Sequence, residues 1–287
     1  MSRKRITERF PWLLPLRQAQ RKAFFYAGMR FDRNTYARTQ RKTLLPSEIF
    51  AKTEPMVNPD SGYDIKYQYN KVHNLKVAAT KLHGLVIKPG ETFSFCLAIK
   101  DADKETPYKD GLSLVGGEIK GEYGGGLCQL SNLLYWLFLH TQLTVTERHG
   151  HGTEAVTPAD PNMLAGIDAT IAEGWLDLKV KNETSHTYQL SVTFDEENIC
   201  AKILADTDRC FDYELYNPSK KYIRQNGQII EKSILARRRT NRFNGQTTEE
   251  ILYANTCVIE YPLPPGTEII EPEAAERSVT EILFSEE

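Results

Sequence analysis

The sequence predicts an α+β protein with a mixed core and a β-rich C-terminal part. In the core, a buried helix that carries a cysteine at its N-terminus packs on antiparallel strands. The first indication is the segment at residues 130–139, which follows three glycines and Cys128 and is apolar on nearly every side. Such a helix belongs inside a protein. The second is the C-terminal half, where short β-branched and aromatic runs alternate with turn residues from Thr187 onward, which is typical of a sheet or sandwich.

The order of these patterns predicts four parts of the chain. They are a basic N-terminal helical segment and linker (1–66), a core domain (67–195), a β-rich extension (196–266) and an acidic tail (267–287). The linker is expected at residues 43–66, where Pro46, Pro55, Pro59 and Gly62 interrupt regular structure. The tail contains seven Glu and a single Arg, so we expect it to be partly disordered.

Within the core domain, residue spacing predicts a helix over residues 70–85 and a β-hairpin made of residues 167–171 and 175–180. Glu173 and Gly174 form the expected turn of the hairpin. The helix has apolar residues three and four positions apart that share one face: Val72, Leu75, Ala79 and Leu82.

Composition narrows the possible partners and sites. A net charge of −2 over 287 residues gives no electrostatic reason to expect nucleic acid. The five cysteines form no CxxC pair, which argues against a zinc knuckle or a dense disulfide scaffold. We find neither a secretory signal pattern nor an apolar run of the ~20 residues that span a bilayer, and we therefore expect a cytoplasmic location.

The N-terminal segment is much more basic than the chain as a whole. Residues 1–42 contain twelve Lys or Arg but only Glu8 and Asp32 as acids. Residues 10–31 mix Trp, Leu and Phe with Arg and Lys. Because Pro11 and Pro15 break the periodicity, packing on the main domain is the favoured interpretation. The alternative is peripheral contact with an anionic membrane surface, which would make the protein membrane-associated.

Candidate catalytic residues follow the glycine run. A thiol in the first turn of a helix meets unpaired N–H groups and the positive end of the helix dipole, and both favour a thiolate. The order Cys128, then His149 or His151, then Asp168 matches the arrangement of papain-like and transglutaminase-like enzymes, in which a thiolate attacks an amide carbonyl. Of the two histidines we favour His149, because a base must be positioned tightly and His151 lies between two glycines.

Other residues of the same stretch are candidates for substrate binding. The backbone of Gly126 and Leu127 and the side chain of Gln129 are candidate oxyanion donors. The full predicted substrate-binding set is Gly124, Gly125, Gly126, Gln129 and Arg148.

Several landmarks of the chain give it a resemblance to the VanW family, named for a protein of glycopeptide-resistance clusters. They are Leu85-Val-Ile-Lys-Pro-Gly-Glu-Thr-Phe-Ser-Phe95, Gly124-Gly-Gly-Leu-Cys-Gln129, Glu147-Arg-His-Gly-His151, Asp168-Ala-Thr170 and Asp177 with Lys181-Asn182. The similarity covers about residues 69–195. It implies a link to the bacterial cell envelope, with a peptidoglycan precursor or peptide-like molecule as substrate. Cys96 stands where the family usually has asparagine.

Three hypotheses about function remain open, and so does the question whether the protein is an enzyme. The favoured one is a cysteine-dependent hydrolase or transferase acting on a peptide or amide bond, without a cofactor or metal. The second is a non-catalytic peptidoglycan- or peptide-binding module whose glycine loop holds a ligand carboxylate. The third is zinc binding by Cys96, Cys128, His149 and His151, which is less favoured because relatives lack the first of these cysteines. If none holds, Cys128 and the histidines are structural core groups.

Overall fold

The computed structural model describes residues 10–115, 118–157 and 163–271, and within them the predicted α+β class is confirmed. A single 3-10 turn, Pro11–Leu13, precedes the first helix. The described residues contain four α-helices: α1 (Leu14–Phe31), α2 (Lys66–Leu82), α3 (Phe95–Ala98) and α4 (Cys128–Leu139). None of these helices is both long enough and apolar enough to cross a membrane.

The strands of the described residues are numbered in chain order. They are β1 (Thr35–Tyr36), β2 (Ser47–Pro55), β3 (Val86–Ile87), β4 (Glu91–Ser94), β5 (Asp110–Val115), β6 (Glu118–Tyr123), β7 (Thr144–Glu147), β8 (Thr153–Glu154), β9 (Lys179–Lys181), β10 (Tyr188–Phe194), β11 (Asn198–Ala205), β12 (Phe211–Gln225), β13 (Gln228–Asn241), β14 (Thr247–Ile259) and β15 (Ile269–Ile270).

These strands form four sheets. Two four-stranded sheets have the orders β1-β4-β9-β7 and β2-β11-β10-β3. A five-stranded sheet has the order β15-β12-β13-β14-β8, and β5 pairs with β6 as a hairpin. Most pairs are antiparallel. The short strands β1, β15 and β8 are exceptions, because each pairs in parallel with its neighbour at the edge of a sheet.

Helix α4 lies in the centre of the hydrophobic core. Leu133, Leu134, Leu137 and Phe138 are fully buried, and the ring of Phe138 lies 5.1 Å from that of Phe93 at the end of β4. The helix contacts β2 and β11. Its apolar surface is covered all round, as the sequence predicts for a helix without a polar face.

The second predicted helix is also present, shifted toward the N-terminus. It was expected at residues 70–85 and occupies Lys66–Leu82 as α2. Leu75, Ala79 and Leu82 are buried, whereas Val72 is partly buried. The helix ends where His83 becomes extended and Gly84 takes a φ of +81°, a value that glycine adopts without strain.

The prediction of an irregular linker at residues 43–66 is wrong for the central part of this range. Strand β2 occupies Ser47–Pro55 and pairs along its length with β11, from Ser47 opposite Ala205 to Pro55 opposite Asn198. Pro46 and Pro55 therefore border or end a strand instead of marking a linker. Shortly before it, β1 joins the edge of β4 and Ala37 is buried, so this part of the chain belongs to the folded core.

The predicted hairpin of residues 167–171 and 175–180 is also wrong. A single bridge joins Ala172 to Leu176, and only Lys179–Lys181 at its end forms a strand. Gly174 makes the expected turn with a φ of +87°. The backbone of residues 168–171 has other partners, described below, and so cannot pair with a neighbouring strand.

The C-terminal part is β-rich as predicted, and its first strand belongs to the core. Strand β11 pairs with β10 and β2, while β12, β13 and β14 form a long antiparallel meander. Strand β15 lies in the part predicted as an acidic tail and pairs with β12. The rest of the predicted tail, residues 272–287, lies outside the described residues.

Candidate cysteine and histidine site

The glycine turn before α4 is held by close backbone packing. Gly124 and Gly126 have φ values of +74° and +89°. A Cβ atom on Gly125 would lie 2.1 Å from the carbonyl oxygen of Gly111 on β5, so no larger residue fits there. The fully buried amide of Asn74 donates hydrogen bonds to Gly125 O (2.9 Å) and Lys109 O (2.8 Å). The turn is therefore fixed between α2 and β5.

Cys128 is the first residue of α4 and directly follows this turn. Its side chain is half-buried, and Sγ lies 4.0 Å from the carbonyl oxygen of Ile171. Within the described residues, the backbone N–H of Cys128 donates no hydrogen bond. A first-turn N–H of this kind is available to a negatively charged group.

His151 connects this thiol to a carboxylate. Its ring Nδ1 lies 2.9 Å from Asp168 Oδ2, and its backbone N–H donates to the same oxygen. The side chain of Cys128 lies close enough to the ring to help raise the pKa of His151. Cys128, His151 and Asp168 are thus neighbours in the order thiol, imidazole and carboxylate.

The surroundings of His151 favour a charged imidazole. Burial by itself would lower the pKa of His151, but the hydrogen bonds and negative charges of Asp168 and Cys128 raise it to about 10. Burial would raise the pKa of Asp168, and its contacts with His151 and Arg148 outweigh that effect and lower it. The imidazole of His151 is therefore positively charged near neutral pH, beside the ionised carboxylate of Asp168.

Arg148 holds Asp168 in place. Its guanidinium donates to Asp168 Oδ1 and to the backbone oxygen of Asp168, and donates to Gly166 O at 3.1 Å. The same group lies 4.0 Å from the ring centroid of Tyr253 on β14. Arg148 was predicted to bind substrate. These contacts give it a positioning role toward the carboxylate.

The segment that carries Asp168 is tied to α4 through the next residue, Ala169. Ser131 Oγ donates to Ala169 O at 2.6 Å, and Asn132 Oδ1 accepts from Ala169 N at 2.7 Å. Thr170 N donates to His149 O at 2.7 Å. Asp168 is therefore fixed relative to the helix whose first residue is Cys128.

His149 occupies a different environment, and this corrects the preference for it over His151. Its Nε2 lies 3.1 Å from Glu147 Oε1, and the second oxygen of Glu147 forms an ion pair with Lys179 at 2.8 Å. Asp168 pairs with His151 and does not orient the His149 ring. The backbone oxygen of His149 nevertheless supports the site through Thr170.

Gln129 and Lys71 lie beside the glycine turn, and their contacts in the described residues are with groups other than the thiol. Gln129 Nε2 donates to Pro55 O at 2.8 Å, which anchors α4 to β2 and does not support its predicted role as an oxyanion donor. The aliphatic part of Lys71 packs below Gly126, where a Cβ atom would lie 2.3 Å from Lys71 Cγ. Burial lowers the pKa of Lys71 to about 8, and the charge of Glu54 opposes that shift.

Cys96 belongs to a separate buried cluster. Its backbone N–H donates to Asp177 Oδ1 at 2.9 Å, and Ser94 Oγ donates to Asp177 Oδ2 at 2.5 Å. Burial, followed by the charge of Asp177, raises the pKa of the Cys96 thiol well above its usual value. Across residues 10–115, 118–157 and 163–271, no three His, Cys, Asp or Glu side chains are placed to hold a metal ion. The zinc hypothesis therefore has no supporting geometry in this part of the chain.

The sequence interpretation overlooked four residues that shape the site: Asn74, Ser131, Asn132 and Tyr253. A signal existed for two of them, because Ser131 and Asn132 are adjacent polar residues in an otherwise apolar helix. In a buried helix, polar side chains need partners, and here the partner is the Asp168 segment. Asn74 and Tyr253 lie far from Cys128 in sequence and carry no local signal.

Comparison with known proteins agrees with the resemblance noted in the sequence. The family model described as VanW like protein matches residues 70–204. The vancomycin B-type resistance protein VanW of Enterococcus faecalis is 48% identical over 272 residues, which cover 94% of this chain and 99% of that protein. The uncharacterized protein YoaR of Bacillus subtilis is 30% identical over 114 residues, covering 40% of this chain and 36% of that protein. No solved structure matches.

Proposed function

The chain belongs to the VanW family, and from this premise we propose that it is a cysteine-dependent hydrolase or transferase acting on a peptide or amide bond. The observation that carries the proposal is the position of the His151 ring, whose Nδ1 lies 2.9 Å from Asp168 Oδ2 and which is a neighbour of the Cys128 side chain. In thiol-dependent acyl transfer the nucleophile, the base and the group that orients the base are arranged in this way.

The first half of the reaction uses all three side chains. The Cys128 thiolate attacks the carbonyl carbon of the substrate and forms the carbon–sulfur bond, while the oxygen takes the negative charge. The free N–H of Cys128 is the candidate donor to that oxygen. The His151 imidazolium then gives its Nε2 proton to the leaving amine as the carbon–nitrogen bond breaks, and Asp168 stays ionised throughout.

The second half regenerates the thiol. Neutral His151 accepts a proton from water, or from an acceptor amine, as that nucleophile attacks the thioester. The carbon–sulfur bond breaks and Cys128 leaves as a thiolate paired again with the imidazolium. Water as acceptor makes the protein a hydrolase, and an amine makes it a transferase. The substrate that fits the family is a peptidoglycan precursor or another peptide-like molecule.

A second candidate function is peptide binding without catalysis, and one feature favours it. A cleft of about 900 Å³ lies between β7 and β14, which face it with Thr144 and Val145 on one side and Leu252 and Tyr253 on the other. Strand β7 is the edge of its sheet within the described residues, so its outer backbone groups are open to an added strand. Cys128 is not among the residues that line this cleft.

The test of the catalytic proposal is the reactivity of the five cysteines toward iodoacetamide at neutral pH, read by peptide mass spectrometry. We expect Cys128 to react fastest, because Cys96 and Cys257 are buried and Cys128 alone has an imidazole partner. In the His151→Ala variant the rate at Cys128 should fall by about tenfold or more, since the cation that stabilises the thiolate is lost.

His149→Ala is the matched control, because it removes an imidazole two residues away that pairs with Glu147. Its Cys128 rate should stay close to that of the wild type. Equal labelling of all five thiols, or a loss in His149→Ala alone, would contradict the proposed assignment. Peptide binding that survives Cys128→Ser, with no turnover in the wild type, would favour the binding module.

A further inference from the structure

Helix α1 presents apolar side chains on two opposite sides. On the side that faces the core, Met29 is buried and Phe25 is half-buried. On the other side, Leu16, Phe24 and Phe31 are 68%, 69% and 81% exposed, and Trp12 in the preceding 3-10 turn is 74% exposed. These four residues are called the apolar face below. At 3.6 residues per turn, its three helical members lie on one side of α1.

Cations border the apolar face. By helical spacing Arg17 lies next to Phe24, and Arg21 lies between the apolar face and the side that faces the core. Arg17 contacts Gln20, and Arg21 lies 5.1 Å over the ring of Trp175, which is itself 65% exposed. Helix α1 contains four Lys or Arg and neither Asp nor Glu. The surface is therefore both apolar and positive.

A pocket of about 470 Å³ opens beside the C-terminal half of α1. Arg30, Arg38 and Lys100 line it together with Tyr36 and Asp101. In the part of the chain that the structure describes, none of these three cations forms an ion pair, while Asp101 is paired with Lys104 at 3.1 Å. Three cations with one compensated acid make a site suited to a phosphate group.

We propose that the apolar face docks on an anionic phospholipid bilayer, and that the pocket at the C-terminal half of α1 takes the phosphate of a lipid headgroup. Trp and Phe side chains partition into the interfacial region of a bilayer, and Arg and Lys beside them are attracted to anionic headgroups. A second copy of this chain fits less well, because a symmetric contact between two such faces would bring two positively charged surfaces together.

Docking would also affect the surroundings of the thiol. Lys22 and Tyr26 of α1 bind Glu173 at 2.6 Å and 2.8 Å. Glu173 lies two residues after Ile171, whose carbonyl oxygen faces Cys128 Sγ. The lipid-facing helix and the thiol site are thus connected by one short loop. The docking proposal itself does not depend on catalysis.

The test is sedimentation of the full chain with vesicles of phosphatidylcholine, with or without phosphatidylglycerol. We expect binding to the anionic vesicles that weakens with added salt. Replacement of both Phe24 and Phe31 by Ser should weaken this binding by at least about tenfold, because two aromatic side chains that enter the bilayer are lost. Phe243→Ser is the matched control, since Phe243 is also 81% exposed and belongs to the β13–β14 turn instead of α1. It should bind as the wild type does.

Two further measurements separate the parts of the proposal. Replacing Arg30, Arg38 and Lys100 together by Gln should abolish the preference for phosphatidylglycerol, whereas Lys232→Gln, an exposed cation on β13, should not. Trp12 and Trp175 are exposed, so tryptophan fluorescence should shift to shorter wavelength with anionic vesicles.

Three results would overturn the proposal. They are equal sedimentation with and without vesicles, equal loss of binding in Phe243→Ser, or self-association that Phe24 and Phe31 control in the absence of lipid. Binding of inorganic phosphate by a chain that ignores vesicles would likewise show that the pocket serves a soluble anion.

Discussion

Replacement of Gly125 by Ala is expected to disturb the candidate site through backbone packing alone. The added Cβ atom would lie 2.1 Å from the oxygen and 2.3 Å from the carbon of the Gly111 carbonyl, and 2.9 Å from Gly111 Cα. All three are backbone atoms of β5, so no side chain can rotate away. Gly125 lies three residues before Cys128, and the glycine turn must therefore move away from β5.

The size of the effect follows from two contributions. Overpacking a close-packed contact costs roughly 1–3 kcal/mol. Moving the turn by about an ångström also breaks the hydrogen bond from Asn74 to Gly125 O, and a buried amide left without its partner costs roughly 1–3 kcal/mol. We therefore expect the free energy of unfolding to fall by about 2–6 kcal/mol when both contributions apply. The displaced turn should also slow iodoacetamide labelling of Cys128.

Urea denaturation followed by circular dichroism gives the first quantity, and peptide mass spectrometry gives the second. Gly152→Ala is the control, because Gly152 neighbours His151 yet a Cβ atom there meets nothing within 4 Å. Gly111→Ala should reproduce the effect, since a Cβ atom on Gly111 would lie 2.3 Å from the carbonyl oxygen of Gly125. A Gly125→Ala protein with the stability and labelling rate of the wild type would refute the packing argument.

Two other predictions concern the core and the imidazole. Leu137→Ala should lower the free energy of unfolding by about 2–5 kcal/mol in urea denaturation, because Leu137 is fully buried, while Leu44→Ala at a 42% exposed position should have little effect. The pKa of His151 is raised from 6.5 to about 10, so its contribution to stability is complete below about pH 6.5 and is lost as the pH rises through about 10. His151→Gln should remove this part of the pH dependence in urea denaturation between those values, and identical pH profiles of the two proteins would contradict the raised pKa.

The central helix and the glycine turn could be predicted because their signals are local. A helix that is apolar on all sides has no stable place except a core, and Leu133 and Leu137 are fully buried. Gly124 and Gly126 have positive φ, which glycine adopts without strain, so a glycine run in the sequence indicates such a turn. In contrast, β2 could not be predicted, because Pro46 and Pro55 are typical of linkers when the pairing with β11 is unknown.

The choice between the histidines could not be read from the sequence, because it depends on where β7 ends. If the strand continued, His149 and His151 would point to the same side of it, yet β7 stops at Glu147. Beyond it, the chain folds over the guanidinium of Arg148: a Cβ atom on Gly150 would lie 3.1 Å from either terminal nitrogen of that group. This fold brings the backbone N–H and the ring of His151 to Asp168. Of the two glycines that flank His151, Gly150 leaves room for this packing, because a Cβ atom there would also lie 3.2 Å from Asn255 Oδ1.

The C-terminal sheet is part of the candidate site through the same arginine. Tyr253 on β14 stacks on Arg148, Arg148 binds Asp168, and Asp168 binds His151. A guanidinium held on one side by an aromatic face and on the other by a carboxylate has little freedom to reorient. The carboxylate that orients His151 is therefore positioned by a residue more than 80 positions later in the chain. Removing the sheet would leave Arg148 without the ring that restrains it, so the minimal unit that preserves this geometry extends beyond residue 204, where the match to the family model ends, and includes β14.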